Sequence, residues 1–570
     1  MDNIDKSTGH SYATLMAMVT ALHGSIYLGN TVGQNTLEQN TFYRNTLDDH
    51  IRGKPVWTLL NRSAMVLGPT RSGKSSSIVV PSILTTPGPV LSTSTKDDIL
   101  RSTYPIRKQF GRCYLYDPSG TVPVPDGMMP LKWSPLLGAA DWNTACITAT
   151  AMRETARLTL PGASMDTTAN ELHWHERSAA LLATLIHAAA INGSTMADVV
   201  EWVDTRNCIP ALDIIEHAIK DSSARSLSSQ VEPDIGLTLE KLDNKIAHDL
   251  LVGIAGTDQR ELSGIWSTTS GALSAYRSAT ALVTTMGDND TFFDSSQFIQ
   301  SPDTIYICAS GVNQSAYAPL IVGLISSIQT AKYSQNTALQ HKGITSPDNM
   351  QILFALDEIA NIAPLPQLQS LVSEGTGQGI ITLACLQDMS QARTRWGTAA
   401  SGFLSLFGYT VILPGIKDIE TLNALETLAG KQPTIEQSVS MPIPSSTFHQ
   451  IKSRLLFRSP PPNTPTITTS TSIQPVLPAD AISRGKPGHA LVVDEHSRFN
   501  VVKLTSYYDH EPFKSAILHT ERSTGLETAH NQELGLLHAT NHHTKSQDHQ
   551  HGIENKGLSA LDINEISHEL

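Results

Sequence analysis

One octapeptide near the start of the chain has the residue types and the spacing that bind phosphate. It runs Gly-Pro-Thr-Arg-Ser-Gly-Lys-Ser from Gly68 to Ser75 and fits the Walker A pattern G-x-x-x-x-G-K-S. The glycines let backbone N–H groups point at phosphate oxygens, Lys74 brings a positive charge to the β and γ phosphates, and Ser75 offers a hydroxyl to Mg²⁺. We therefore predict an ATP-binding site formed by Gly68, Pro69, Thr70, Arg71, Ser72, Gly73, Lys74, Ser75 and Ser76.

A second pattern, the apolar run Ile352–Leu356 followed by Asp357 and Glu358, is typical of a Walker B strand. In that pattern Asp357 holds the Mg²⁺ shell, and Glu358 orients and polarises the attacking water. Acid pairs at strand ends also occur on ordinary surfaces, so the pattern gains its weight from the Walker A motif upstream. We predict Ser75 and Asp357 as Mg²⁺ ligands, and Lys74 and Glu358 as catalytic residues.

Three further polar residues are candidates for roles near the phosphates. Gln387 follows an apolar run, and there its amide could sense the γ-phosphate; the alternative is a residue that only begins the next helix ahead of Asp388. We predict it as a third catalytic residue. Arg393 and Arg395 lie on that next helix, and either could act as an arginine finger on a neighbouring subunit's nucleotide. Solvated helix arginines are the commoner alternative.

The composition limits what the chain can bind. Its 570 residues carry a formal net charge of -13 and the pI is about 5.9, so any DNA contact must come from a local basic surface. The cluster Lys452, Arg454 and Arg458 is one such candidate, although a solvated charged loop is an equal alternative. The cysteines are odd in number and lack C-x-x-C spacing, which argues against a disulfide framework or a zinc site.

Two other patterns look like sites but lack the required context. The glycine-rich stretch Gly375–Gly379 precedes an apolar run, whereas a nucleotide loop would follow one, so we predict a turn. His173, His175 and Glu176 have no matching partners at zinc spacing, and we expect surface or satisfied polar residues there.

The elements that must position the motifs follow from hydrophobic periodicity. Short apolar runs alternate with helical stretches, which predicts an α/β fold with a mostly parallel sheet and helices on both faces. Between residues 141 and 290 the pattern is largely helical, so we predict an all-α insert. The predicted strands are Ala64–Leu67, Pro89–Thr93, Cys113–Tyr116, Thr304–Cys308, Gln351–Leu356, Gly379–Ala384, Tyr409–Leu413 and His489–Val493.

These patterns divide the chain into consecutive parts. Residues 1–55 form an N-terminal segment, 56–140 the first part of the ATPase domain with Walker A, and 141–290 the insert. Residues 291–508 form the second part with Walker B and a polar loop or arm near 431–475. Residues 509–570 form a His-rich tail that we predict as disordered, because its composition cannot bury a core.

No stretch of the sequence predicts a transmembrane helix. The best candidate, Tyr12–Leu22, is too short to span a bilayer, and Asp2 and Asp5 oppose the positive charge that a signal peptide needs. A buried or interfacial helix is the better interpretation. We therefore expect the protein in the cytoplasm, or at the cytoplasmic face of the plasma membrane through partners.

Taken in order, these motifs resemble the coupling ATPases of type IV secretion and conjugation, the TraG-like group. The resemblance extends from about residue 25 to about residue 505. Besides both Walker motifs, it rests on Ser92–Asp98, Tyr116–Gly120, Trp133–Leu136, Leu356–Pro364 and Ala384–Asp388. It implies a RecA-like P-loop motor carrying an all-α insert, ATP hydrolysis with Mg²⁺, and a homo-oligomeric ring, typically of six subunits. It also implies delivery of DNA, or of a relaxase–DNA complex, to channel proteins at the inner membrane.

One feature departs from the family pattern. Family members usually begin with a membrane-spanning segment, which this sequence does not show, so we expect a separate membrane-anchored partner. A nucleic-acid-translocating motor is the leading interpretation. The alternatives are an ATPase that recruits protein substrates for export without a DNA step, and a platform that uses nucleotide only to assemble.

Overall fold

The computed structural model describes residues 14–19, 24–32, 54–159, 169–228, 235–287, 291–309, 314–341, 350–440 and 466–524. In this part of the chain, twelve strands form one sheet and two more form a separate antiparallel pair. The strands are β1 (Tyr27–Thr31), β2 (Pro55–Trp57), β3 (Ala64–Leu67), β4 (Val90–Ser94), β5 (Cys113–Tyr116), β6 (Met129–Pro130), β7 (Thr304–Cys308), β8 (Ile352–Leu356), β9 (Ile380–Leu386), β10 (Tyr409–Ile412), β11 (Lys431–Ser440), β12 (Thr466–Pro475), β13 (His489–Val493) and β14 (Phe499–Lys503).

The larger sheet has a parallel centre and an antiparallel flank. Its order is β2-β1-β14-β13-β10-β3-β9-β8-β4-β7-β5-β6. All neighbours from β10 through β6 are parallel, whereas β2, β1, β14 and β13 pair antiparallel and β13 joins them to β10. Since the carboxyl ends of parallel strands meet at one edge, the segments that follow β3, β9, β8 and β4 lie side by side.

The central strands are buried on both faces. Every residue of β3, β4, β7, β8 and β9 is buried, as continuous apolar runs predict for a sheet covered by helices on both sides. Successive side chains of β3 alternate between the two layers, with Met65 and Leu67 in one apolar cluster and Ala64 and Val66 in the other.

Helices cover both faces of this sheet. The phosphate-binding loop leads into a π-helical turn, Ser75–Val79, that continues as the α-helix Val80–Thr85. The other helices outside the insert are Asp98–Arg107, Ser295–Phe298, Gln314–His341, Ile359–Ile362, Leu368–Gly375, Met389–Trp396, Gly397–Gly402 (3₁₀), Phe403–Leu406, Ile419–Ala429, Ala479–Arg484 and Phe513–Thr524.

From Trp142 to Val283 the described chain is helical and packs around a second core, which also includes Leu320 of the helix Gln314–His341. Asp141 caps the first helix there by accepting a hydrogen bond from Thr144 N at 2.8 Å. Met152, Leu182 and Trp266 are among the residues of this core. The helices are Trp142–Leu158, Ala169–Asn192, Met196–Asp204, Ile209–Ser228, Ile235–Ala255, Gln259–Ala272, Ser274–Arg277 (3₁₀) and Ala279–Val283.

All the strands predicted from the sequence are present, each within two residues of its predicted bounds. The N-terminal segment, residues 1–55, contains a strand that was not predicted, β1, which pairs with β14 through Asn30 and Lys503. Neither strand was predicted, because each is a short flanking strand whose pairing depends on a partner far away in the sequence.

The polar arm near 431–475 also needs a correction, since its two ends are strands. β11 and β12 pair in continuous antiparallel register, from Lys431 opposite Pro475 to Ser440 opposite Thr466. Threonine favours extended backbone even in a polar segment, so a polar composition does not exclude strands. Residues 441–465 between the strands, with Lys452, Arg454 and Arg458, lie outside the described residues.

The start of the predicted disordered tail is a helix. Phe513, Ala516 and Ile517 are buried against the sheet core, at the spacing of one helical face. The prediction of disorder from residue 509 is therefore wrong for Phe513–Thr524. The cluster His542, His543, His549 and His551 lies outside the described residues.

The apolar N-terminal stretch Tyr12–Leu22 contains a short helix at residues 14–19. Its Leu15 and Val19 are buried, as the buried-helix interpretation predicts. Among the described residues, no helix combines the length and the apolar character that crossing a bilayer requires.

Candidate nucleotide-binding site

The phosphate-binding loop leaves the carboxyl end of β3 at Gly68. Gly68 N donates to Leu386 O on the adjacent strand β9 at 3.2 Å. A Cβ at Gly68 would lie 2.8 Å from Ser72 Oγ and 2.9 Å from Leu413 Cβ, so a larger residue does not fit. Gly73 has a φ of +93°, which L side chains rarely adopt. Glycine is therefore required at both positions of the pattern, at Gly68 because neighbouring atoms leave no space for a Cβ and at Gly73 because φ is positive.

Lys74 lies at the start of the helix and is buried. Its Nζ donates to Gly68 O at 2.6 Å and to Pro69 O at 3.1 Å, so carbonyls of the loop itself hold the ammonium. Ser72 Oγ, in the same loop, is buried without a hydrogen-bond partner. A buried hydroxyl in that state costs about 1–3 kcal/mol, which an acceptor oxygen in the loop would offset.

Ser75 and Asp357, 282 residues apart in the chain, meet at the carboxyl edge of the sheet. Ser75 Oγ donates to Asp357 Oδ2 at 2.8 Å, and Thr93 Oγ1, one residue before the end of β4, donates to Asp357 O at 3.0 Å. Asp357 Oδ1 is buried without a hydrogen-bond partner. Burial raises the pKa of Asp357 to about 6, against the smaller opposing effect of the Ser75 hydrogen bond. A buried carboxylate oxygen without a donor fits a divalent cation.

Glu358 has a backbone conformation that few residues of its kind adopt. Its φ of 52° and ψ of 42° lie in the left-handed region, and the helix Ile359–Ile362 begins directly after it. Asn361 Nδ2 donates to Glu358 Oε2 at 3.1 Å, and this bond orients the partly exposed carboxylate. The turn places two acids in succession beyond β8, one buried and one accessible.

Gln387 lies at the carboxyl end of β9, the strand between β3 and β8. Leu386 pairs with Leu67, the last residue before the phosphate-binding loop, so Gln387 is next to the start of that loop. Its backbone N donates to Gln391 Oε1 at 3.0 Å, and Asp388 caps the helix that follows. The residue therefore has both predicted positions, at the strand end beside the loop and ahead of the helix.

Sequence comparison identifies the family that carries this site. The family described as Type IV secretory system Conjugative DNA transfer matches residues 23–455. The chain belongs to this family. No curated protein matches its sequence significantly.

Solved structures of conjugative coupling proteins share the fold of this family member. The unbound monoclinic form of the bacterial conjugative coupling protein TrwBΔN70 aligns with a TM-score of 0.50 at 15% identity, covering 78% of this chain and 85% of that chain. The plasmid coupling protein TrwB in complex with ADP and Mg²⁺ aligns with a TM-score of 0.51 at 15% identity, covering 86% and 96% respectively. The predicted fold class, a RecA-like α/β core, is confirmed.

Arg393 and Arg395, the two candidates for an arginine finger, both form hydrogen bonds within their own chain. Arg393 Nη2 donates to both carboxylate oxygens of Asp418, at 2.7 and 2.8 Å, and its Nε lies 3.3 Å from Glu420. Arg395 donates to two backbone carbonyls, and its burial lowers its pKa. Both guanidinium groups bind their own chain, and a role for either of them at a neighbouring subunit's nucleotide stays a prediction.

The structure also brings residues to the site that sequence reasoning missed. Asp98, after β4, lies close enough for its charge to raise the pKa of Asp357, although burial is the main cause. Near the C-terminus, Tyr507 N donates to Ser76 O at 2.9 Å, and Tyr507 OH lies 2.6 Å from Ser102 Oγ. For Asp98 the signal was available, because an acid after an apolar run in an α/β pattern lies at the carboxyl edge. No local signal pointed to Tyr507.

The patterns that were discounted stay outside the site. Gly379 has a φ of +80° in the turn that precedes β9, as predicted. His173 Nε2 lies 3.2 Å from Glu261 Oε1, and His175 Nδ1 contacts Arg153. In the part of the chain that the structure describes, no group of three or more His, Cys, Asp or Glu residues could hold a metal ion.

Proposed function

We propose that the chain is an ATP-hydrolysing coupling protein of a conjugative type IV secretion system, which recruits DNA or a relaxase–DNA complex and translocates it to the channel. The observation that carries the proposal is the meeting of Lys74, Ser75 and Asp357 at one edge of the sheet, with Glu358 next in the chain. The family context is conjugative DNA transfer. TrwB, which shares the fold, has been solved with ADP and Mg²⁺.

ATP and Mg²⁺ fit the polar atoms that the site leaves without partners. Ser75 and Asp357 would hold Mg²⁺, which when bound would neutralise charge on the β and γ phosphates. The backbone N–H groups of Gly68–Ser76 would donate to phosphate oxygens, and Ser72 Oγ would gain an acceptor. Lys74 Nζ would exchange the carbonyls of Gly68 and Pro69 for phosphate oxygens.

The remaining side chains account for hydrolysis. The Glu358 carboxylate would accept a hydrogen bond from the attacking water, which orients it in line with the γ-phosphate and draws electron density onto its oxygen. Gln387, beside the loop at the end of β9, would donate from its amide to the γ-phosphate and so respond to its loss. The lateral position of β9 between β3 and β8 supports this role.

The proposal includes assembly into a homo-oligomeric ring, a hexamer in the form that the family resemblance implies. Channel proteins at the inner membrane would bind the ring at the cytoplasmic face, with a separate membrane-anchored partner. Arg393 and Arg395 are bound within their own chain. The cation that stabilises the negative charge on the γ-phosphoryl group during its transfer would therefore come from another arginine or lysine.

Turnover of ATP with and without DNA tests the proposal. We expect Mg²⁺-dependent hydrolysis that single- or double-stranded DNA stimulates, and Lys74→Ala should weaken nucleotide binding because the phosphates lose their main cation. Turnover that DNA does not change would favour the protein-export alternative. Absence of any turnover, in the presence of Mg²⁺ and DNA, would leave only the assembly platform.

Mixing wild-type and Lys74→Ala subunits tests the ring. If catalysis needs a neighbouring subunit, specific activity should rise steeply with protein concentration, and inactive subunits should lower activity more than dilution does. Activity per subunit that stays constant across the monomer-to-oligomer range, with simple dilution by the variant, would show that each chain works alone.

A further inference from the structure

One arginine joins the Walker B turn to the helical insert. Arg395 lies on the helix Met389–Trp396. Its Nε donates to Ala360 O at 3.0 Å, and its Nη1 donates to Leu158 O at 2.7 Å. Ala360 belongs to the helix directly after Glu358, and Leu158 ends the first helix of the insert. A single guanidinium group therefore binds two segments that are about 200 residues apart in the chain.

The Walker B turn needs such support because its conformation is unfavourable by itself. A left-handed glutamate costs on the order of 1 kcal/mol or more and persists only where its surroundings hold it. Glu358 O accepts from Asn361 N at 2.9 Å and from Ile362 N at 3.1 Å, which closes the short helix. Arg395 binds the next available carbonyl of that helix, so it fixes the helix from outside.

The contact with the insert also has a physical basis. The last carbonyls of a helix have no partner within the helix, and they form the negative end of its dipole. Arg395 supplies both a donor and a positive charge to Leu158 O. The neighbouring Trp396 Nε1 donates to Leu365 O at 2.8 Å, which ties the same helix to the segment after Walker B. The bonds of Arg395 to Ala360 O and Leu158 O leave it little freedom to move independently of either segment.

We propose that Arg395 is a positioning residue that holds the turn presenting Glu358 and couples this turn to the insert. A shift of the insert's first helix then moves Arg395 and displaces the Glu358 carboxylate. The insert thereby controls hydrolysis without touching the nucleotide. The inference rests on the proposed function, since it assigns the action of Arg395 to the step that Glu358 performs.

The test compares hydrolysis with nucleotide affinity in the full chain. In Arg395→Met we expect kcat to fall about 10-fold or more, because a displaced water-orienting group misaligns the attack. The dissociation constant for Mg·ADP should change by less than about 3-fold, since the phosphate loop is intact. Arg395→Lys replaces two separate guanidinium nitrogens with one ammonium, so its kcat should lie between those of wild type and Arg395→Met. The control Arg277→Met removes an arginine that bonds Asp204 and Ser270 within the insert, and it should keep wild-type kcat.

Amide hydrogen exchange is a second measurement of the turn after Glu358, and it does not depend on turnover. In Arg395→Met the amide of Ala363, which donates to Ile359 O at 3.1 Å, should exchange faster, whereas amides of β8 should be unchanged. If Arg395→Met hydrolyses ATP with a kcat within about 2-fold of the wild-type value, the proposal is overturned. An equal loss of kcat and affinity, or unchanged exchange at Ala363, also overturns it. If wild type does not hydrolyse ATP, the proposed function fails, and exchange at Ala363 still decides whether Arg395 holds the turn.

Discussion

The two edges of the central sheet use buried charges in different ways. At the amino edge, two buried cations donate to backbone carbonyls where strands begin. Arg107 donates to the carbonyls of Thr86, Gly88 and Pro302 and to Thr304 Oγ1. Lys332 Nζ donates to Met350 O at 2.9 Å and to Gln335 Oε1 at 3.1 Å, just before β8.

At the carboxyl edge, the buried charges are satisfied only in part. Lys74 donates to carbonyls of its own loop, while Asp357 has one carboxylate oxygen bonded to Ser75 and the other without a hydrogen-bond partner. Buried polar groups in proteins are nearly always bonded, so an exception calls for an explanation. Buried cations that bind carbonyls at the start of strands thus support the fold, whereas a buried carboxylate with an oxygen that lacks a donor indicates a ligand.

The largest effect should come from the amino edge. Arg107→Met removes a fully buried guanidinium and leaves at least three strand-end carbonyls without that donor, so we expect a loss of about 5 kcal/mol in the free energy of unfolding. Urea unfolding followed by circular dichroism measures it. The control Arg101→Met, on the same helix, breaks only an exposed pair with Asp97 and should cost about 0.5 kcal/mol or less. Equal losses in the two variants would contradict the comparison.

The second prediction concerns the accessible acid of the carboxyl edge. Glu358→Gln keeps the shape of the side chain but removes the charge that polarises water, so turnover should fall about 10²-fold or more while Mg·ATP still binds. Single-turnover hydrolysis and nucleotide titration measure the two quantities. Glu374→Gln, which changes an exposed acid on the helix Leu368–Gly375, is the matched control and should retain turnover. Wild-type turnover in Glu358→Gln would exclude this residue as the group that activates water.

The third prediction concerns the buried acid. Because burial raises the pKa of Asp357 to about 6, the folded state holds this carboxyl's proton more tightly than the unfolded state does. The contribution of the Asp357 carboxyl to the free energy of unfolding is therefore present at acidic pH and is lost as pH rises through 6. Asp357→Asn should stabilise the nucleotide-free protein by about 2 kcal/mol at pH 7, and this gain should shrink towards pH 4.

Thermal unfolding across that pH range measures the effect. With Mg·ADP added, the order should reverse, since the wild type gains a ligand that the variant binds poorly. A destabilised variant at pH 7 without nucleotide would mean that Asp357 supports the fold as Arg107 does.

The smallest effect is expected at Lys332. Burial lowers the pKa of its ammonium to about 8, so the folded state releases this proton before the unfolded state does. The wild type should therefore gain stability as pH rises from about 8 to about 10, and Lys332→Met should lack that part of the gain. At pH 7 we expect a loss of about 1 kcal/mol, because removing the Met350 bond and removing a buried charge partly offset each other. If the free energies of unfolding of the wild type and of Lys332→Met changed with pH in parallel, Lys332 would not titrate in this range.

Much of the site could be predicted because its signals are local. The loop Gly68–Ser75 needs glycine where φ is positive or where a neighbour approaches closely, and that need is visible as spacing. Asp357 and Glu358 follow an apolar run that is buried on both faces, and such runs are recognisable without knowing their partners. The misses include the flanking strands β1 and β14, the paired ends of the polar arm and the helix Phe513–Thr524. Each depends on contacts that the local pattern does not contain.

The sequence by itself determined the Walker motifs, the alternation of strands and helices, and the residues that we propose bind phosphate and Mg²⁺. Those properties depend on backbone conformation and on side-chain chemistry within a few residues. Only the tertiary structure placed β9 between β3 and β8, left Asp357 Oδ1 without a donor, and showed that Arg395 binds two distant carbonyls. Strand order and hydrogen-bond partners join segments hundreds of residues apart, and the free energy that selects them belongs to the packed core rather than to any segment.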